Sequence, residues 1–170
     1  REMIALVQRI QAERPSEDIV PWLSRFSPLL VLARGSTAGY SGEGLDVRAV
    51  GRELGARYAL EGAVRKAGGT VRVSVQLADA STGTHMWAEA YDRDLAGVGI
   101  FEVQDDITDR VVATVADPYG ILVRSMALAV RDRPVEELSA QELALRCSAY
   151  WHQIRPDEHA RLRSALERNL

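Results

Sequence analysis

A chain of 170 residues, 46% hydrophobic and 26% charged, has room for one well-cored domain and an appendage, and its composition is that of a folded protein. Its formal net charge of −3 argues against a phosphate-backbone binder, which carries a clustered basic surplus, so no nucleic-acid contact is expected from this segment. The single cysteine, Cys147, excludes an internal disulfide and a thiol pair for zinc, and leaves the compartment open between periplasm and cytosol, with the cytosol preferred.

No uninterrupted apolar run reaches the roughly 18–20 residues that span a bilayer. Glu2, Gln8 and Arg9 break up the apolar residues Ile4–Val7, so the start does not read as a signal peptide. Beginning at Arg1, the chain is expected to be a piece of something longer. Met3–Val7 reads as a buried strand or a helical turn, with a strand favoured. Ser16-Glu17-Asp18 opens a helix, an N-cap residue followed by acids that suit the positive end of the helix dipole. Ile19, Leu23 and Phe26 form its stripe, and Pro28 closes it. Leu29–Ala33 reads as a fully buried strand, so strand, helix and strand would make a right-handed crossover with a parallel pair.

Arg34–Leu45, with four glycines, reads as a loop. Asp46 caps a second helix carrying Val47, Val50 and Leu54, and Gly55 ends it. The clearest local pattern follows. Tyr58–Ala67 and Thr70–Asp79 are β-type runs joined by Gly68-Gly69, a dipeptide suited to a two-residue hairpin turn. Pairing Ala67 with Thr70 sets Val64 opposite Val73, Gly62 opposite Val75 and Leu60 opposite Leu77. Glu61, Ala63 and Arg65 then share the other face with Arg72, Ser74 and Gln76.

Ser81-Thr82-Gly83 turns into a third strand, His85–Asp92. With a loop of Ala80–Gly83, Met86, Ala88 and Ala90 join the core face, while Trp87, Glu89 and Tyr91 stand beside Arg72 outside. One residue more or less reverses that. From Phe101 a long helix places Val103, Ile107, Val111 and Val115 at helical spacing, and Pro118 breaks it. A second helix runs from about Gly120 to Ala129. Beyond a linker around Asp132-Arg133-Pro134, a helical hairpin is expected, with Leu143, Cys147 and Tyr150/Trp151 on one helix and Leu162 and Leu166 on the next. The expected fold is therefore α/β (α+β): a small mixed sheet, a parallel pair plus a three-stranded antiparallel meander, packed with helices. Residues 1–131 would form that domain, 132–139 a linker and 140–170 a helical appendage.

The catalytic templates do not fit. Gly39, Gly42 and Gly44 lack the lysine of a phosphate loop and the strand-to-helix setting of a dinucleotide site. His85, His152 and His159 lie in different elements without ligand spacing. Cys147 sits on an apolar stripe, where a free thiol behaves as a small hydrophobe. Glu102, Asp105, Asp106 and Asp109 suit the first turns of a helix through its dipole alone. No catalytic, cofactor or metal residue is therefore assigned. Two surfaces stand out instead. Arg65 and Arg72 oppose one another across the hairpin, which is costly without an acid or anion between them. With Trp87, Glu89 and Tyr91 they would make an aromatic, charged interaction face, unless a helix covers it as a second core layer. Leu143, Trp151, Leu162 and Leu166 would form the second surface, through which a homodimer is expected.

From Ser16 to about Val115 the chain resembles the TolB-amino-terminal-like domain of bacterial class III adenylate cyclases and CadC-type winged-helix regulators, where it precedes tetratricopeptide repeats. The match is carried by Glu17-Asp18-Ile19, by Asp46–Gly55 (DVRAVGRELG), by Tyr58–Gly62 (YALEG) and by Val64–Gly68 (VRKAG). It continues through Gln76-Leu77, Thr82-Gly83, His85–Glu89 (HMWAE), Tyr91–Leu95 (YDRDL) and Gln104–Thr108 (QDDIT). The opening departs from the family pattern, because Gln8–Pro15 is a short link where a longer loop is usual. The resemblance implies a sheet-and-helix module attached to a protein-binding repeat array, and it implies no active site. The expected function is a non-catalytic regulatory or protein-interaction module of a bacterial signalling protein, part of an adenylate cyclase. The alternatives are a TolB-related envelope adaptor and the sensor portion of a winged-helix regulator.

Overall fold

The computed structural model describes residues 2–10, 16–25, 29–40, 45–97, 99–117, 119–150, 161–164 and 167. They fall into two compact units, Arg1–Thr114 and Val115–Leu170.

The first unit is a mixed α+β fold around a five-stranded sheet of order β2-β1-β3-β4-β5. Strand β1 is Glu2–Ile10, helix α1 Ser16–Ser24 and strand β2 Leu29–Val31. β1 lies parallel to β2 on one side and to β3, Tyr58–Ala67, on the other, with Ile4 beside Tyr58. β2 is shorter than the sequence suggests and lies at the sheet edge, so Leu29 is buried while Leu30 is exposed. The glycine-rich stretch read as a loop contains a short helix, α2, Arg34–Thr37. Helix α3, Val47–Leu54, starts on Asp46, whose Oδ1 accepts from the Arg48 amide at 3.0 Å, and ends on Gly55 in the left-handed conformation at φ 65°.

Strands β3 and β4, Thr70–Asp79, pair in the register that turn chemistry and alternation dictate, from Ala67 opposite Thr70 to Tyr58 opposite Asp79. β5, Thr84–Asp94, completes an antiparallel meander. Its loop has the expected length, with Asp79 opposite Thr84, but the faces are the reverse of those expected. Ala78 faces His85 and Leu77 faces Trp87, so the register slips by one at a β-bulge and Met86 is the extra residue. Trp87, Glu89 and Tyr91 therefore stand opposite Leu77, Val75 and Val73 on the core face. Ala88, Ala90 and Asp92 stand opposite Gln76, Ser74 and Arg72 on the outer face. The side-chain period of two makes one inserted residue enough to exchange the faces.

Helix α4, Ile100–Ala116, brings Val103, Ile107 and Val111 into the core with Val71, Val73, Val75, Leu77 and Tyr91. An ion pair fixes it to the inner face of β5: Asp106 Oδ2 accepts from Arg93 Nε at 3.0 Å and from Nη2 at 2.5 Å. Asp106 also pairs with Arg110 one turn on, so part of the acidic cluster binds arginines as well as favouring the helix start.

In the second unit, helix α5, Ile121–Val130, runs into a 3-10 turn, Val135–Glu137, and helix α6, Ala140–Tyr150. The helix expected to trail the first domain belongs to this unit, and the stretch expected to be a linker supplies part of its core. Val130, Val135, Leu138, Leu143 and Leu162 are buried together, with Cys147 against them. Ser139 and Glu142 form a capping box: the Glu142 carboxylate accepts from the Ser139 amide at 2.8 Å, and the Glu142 amide donates back to Ser139 Oγ at 3.3 Å. Arg133 pairs with the same carboxylate.

By length and mean hydropathy alone, the stretch Ile100–Val130 would suffice to cross a membrane. It consists of two separate helices on which Val103, Ile107, Val111, Leu122, Val123 and Met126 are buried while Ile100, Phe101 and Leu128 are exposed.

Candidate functional site

The outer face of the meander is built by the alternation of β3, β4 and β5. Their register lines up Glu61 with Gln76 and Ala88, Ala63 with Ser74 and Ala90, and Arg65 with Arg72 and Asp92. Among the described residues, the face is covered at one end. Ala59 and Ala78 are buried there, and Gly51 of α3 sits so close to Ala80 that a Cβ on it would lie 2.5 Å from the Ala80 Cβ. Away from α3, Ser74, Ala88 and Ala90 are exposed. The side chains flooring this part are small, and the result is an open groove of about 410 Å³ lined in part by Glu61, Ala63, Ser74, Gln76, Ala88 and Ala90.

Two polar pairs bound the groove. At the α3 end, Glu61 is only 4% exposed, and Gln76 Nε2 donates to its Oε2 at 2.8 Å. At the far end, Arg72 makes a two-pronged pair with Asp92, Nε to Oδ1 at 2.6 Å and Nη2 to Oδ2 at 2.7 Å. That acid intervenes beside the opposed Arg65 and Arg72, and Arg72 holds the Asp92 carboxyl below its usual range. The Glu61–Gln76 pair was missed from the sequence, although the hairpin register sets the two side by side.

Of the residues expected to form the interaction face, Arg65 and Arg72 lie together on the outer side. Trp87, Glu89 and Tyr91 do not join them, because the bulge turns them inward. Tyr91 is buried, and its hydroxyl donates to Glu89 Oε2 at 3.1 Å. Burial foremost, with the hydrogen bond to Glu89, pushes the Tyr91 hydroxyl up to about 12. On the second expected surface, Leu143 and Leu162 are core residues, because Val130, Val135 and Leu138 cover them. Trp151 and Leu166 lie outside the described residues. Among the described residues, no group of three or more His, Cys, Asp and Glu is placed to hold a metal ion.

No family model matches the chain. Over 101 residues, 59% of this chain, it is 48% identical to a protein of Rhizobium meliloti (strain 1021) named "Putative adenylate cyclase 3". The chain spans 17% of that protein's length. Solved structures of similar fold include a PelC dodecamer from Paraburkholderia phytofirmans (TM-score 0.46, 20% identity, 66% of this chain and 86% of that one). Another is the LpoB C-terminal domain from Salmonella enterica (0.44, 13%, 55% and 82%). A third is TolB from Acinetobacter baumannii (0.46, 15%, 66% and 27%). The matches do not extend to the winged-helix or tetratricopeptide parts of the resemblance, and nothing in them favours the cytosol. The chain is thus similar over more than half its length to part of a much longer bacterial protein named as an adenylate cyclase, and its structural neighbours are of the TolB and LpoB kind.

Proposed function

We propose that this chain is a regulatory, protein-interaction module of a bacterial signalling protein whose cyclase chemistry resides in another part of the polypeptide. One observation carries the reading: 48% identity over 101 residues to a protein named as an adenylate cyclase, of which the chain spans 17%. A segment of that share leaves ample length elsewhere for a catalytic domain. The half-open sheet face supports the same reading. Its floor of alanines and serine lies between the Glu61–Gln76 and Arg72–Asp92 pairs, an open concave surface of small side chains that suits contact with another protein.

Cyclisation requires groups that hold a divalent cation on the triphosphate and stabilise charge on the transferring phosphorus. The groove offers one buried carboxylate, bonded to an amide, among small apolar side chains. Incubating the purified chain with ATP or GTP and magnesium or manganese tests the proposal. No cyclic nucleotide and no hydrolysis above buffer is the expected result. Turnover abolished by a point substitution within the chain overturns it.

A further inference from the structure

We propose that the edge strand β5 pairs antiparallel with β5 of a second copy about a two-fold axis at Tyr91, joining two sheets into one. This goes beyond the regulatory reading and uses the backbone edge of the strand whose Ala88 and Ala90 side chains help line the groove. The argument begins at the turn. In a two-residue hairpin the residues flanking the turn exchange both backbone hydrogen bonds, so Thr70, Arg72, Ser74 and Gln76 direct theirs to β3. Val71, Val73 and Val75 then direct theirs to Arg93, Tyr91 and Glu89 of β5. By alternation, Ala88, Ala90, Asp92 and Asp94 aim N–H and C=O away from β4. Two bonds agree with this phase: the Leu95 amide reaches back to Gly69 O at 2.8 Å, and the Asp92 carbonyl is taken by the Arg93 side chain at 2.9 Å.

No strand lies beyond β5 among the described residues. Sheet edges are normally blunted by shortness, by proline, by bulges or by free charges. β2, the other edge, is three residues long, whereas β5 has eleven and no proline. Its bulge is confined to one end and leaves Ala88–Asp94 regular. The acids in the outward phase are engaged within the domain, Asp92 with Arg72 and Asp94 with the Ala96 amide, while Glu89 and Arg93, which also contact the Tyr91 hydroxyl and Asp106, carry the opposite charges a facing strand would meet.

Charge complementarity selects both the occupant and the register. About Tyr91, each outward-facing residue finds an outward-facing partner: Ala88 meets Asp94 of the second copy and Ala90 meets Asp92. Glu89 meets Arg93, giving two opposite-charge pairs across the junction. A centre at Glu89 sets two glutamates face to face. A centre at Arg93 opposes two arginines, and one at Asp92 opposes two aspartates. A centre at Ala90 runs Asp94 into the bulge at Met86. The strand is therefore self-complementary in one register, the requirement for a two-fold interface.

Sedimentation equilibrium of the chain across a wide concentration range, with amide exchange read at residues 88–94, tests the pairing. The wild-type mass should double with concentration while the Ala90, Asp92 and Asp94 amides gain protection. Ala90→Pro removes an outward N–H that β4 does not use, so it should stay folded by circular dichroism and remain monomeric. Glu89→Arg should weaken association by about tenfold, since two favourable cross-strand pairs become like-charge pairs. Arg65→Glu, away from the edge, should leave it unchanged. A wild-type chain monomeric throughout overturns the proposal. So does a folded Ala90→Pro variant that dimerises as tightly as wild type, or a dimer whose edge amides stay unprotected. If Ala90→Pro does not fold, the wild-type exchange pattern decides alone.

Discussion

Gly51→Ala sets two physical effects against each other. In the interior of a helix, alanine is favoured over glycine by about 1 kcal/mol, so propensity alone predicts stabilisation of α3. The packing predicts the reverse. A Cβ at Gly51 would lie 2.5 Å from Ala80 Cβ and 2.8 Å from the Ala56 carbonyl oxygen. Carbon atoms in contact sit about 3.5–4.0 Å apart, so the C-terminal half of α3 would have to lift by about 1 Å from the end of β4. Overpacking of that kind costs about 1–3 kcal/mol, occasionally more. The overlap involves backbone and a Cβ, which cannot rotate away, so the upper part of the range applies. The expected net loss is about 1–2 kcal/mol, read as a lower urea midpoint with unchanged slope. Adding Ala80→Gly removes the nearer overlap and should recover part of the loss. A Gly51→Ala chain as stable as wild type, or one that Ala80→Gly fails to help, refutes the close approach of α3 to the outer sheet face.

Val73 is buried on the core face and Ser74 is exposed on the other, so Val73→Asp should unfold the first unit or nearly so while Ser74→Asp is tolerated; circular dichroism and urea midpoints separate the two. Leu143→Ala should cost about 2–5 kcal/mol by leaving a cavity among Val130, Val135 and Leu138, measured by urea denaturation. Asp106 is held below its usual value by the hydrogen bonds of Arg93 first and Arg110 second. Its contribution is therefore present above the ordinary carboxylate range, about pH 4, and is lost as pH falls through the lowered value. Asp106→Asn should flatten that part of the stability–pH curve.

How far the sequence foretold this fold depended on whether a local rule governed each feature. Gly68-Gly69 and strict alternation fix the β3–β4 register, because turn geometry and burial demand the same pairing. Asp46 and Gly55 bracket α3 through hydrogen bonds that only their residue types supply. The bulge at Met86 had no such signature: loop length fixed the first pair, Asp79 with Thr84, and the slip arose two pairs later. The misassigned Trp87, Glu89 and Tyr91 follow from that single residue. Leu29–Ala33 read as buried because it is apolar throughout, yet its place at the sheet edge depends on β1 pairing with both β2 and β3. That is a long-range choice no local pattern encodes. In the second unit the signals were present but undervalued, since Ser139 and Glu142 spell a capping box and Val135 and Leu138 lie in a stretch that proline made look like a linker.

Cyclic AMP formation by the full-length protein containing this chain, measured beside that of the chain alone, tests the regulatory reading most directly. The isolated chain should form none. Ser74→Arg, which fills the open groove without touching the core, should change the full-length protein's cyclase rate while leaving its fold intact. Cyclase or hydrolase turnover by the chain itself, or a full-length rate indifferent to Ser74→Arg, would contradict the account.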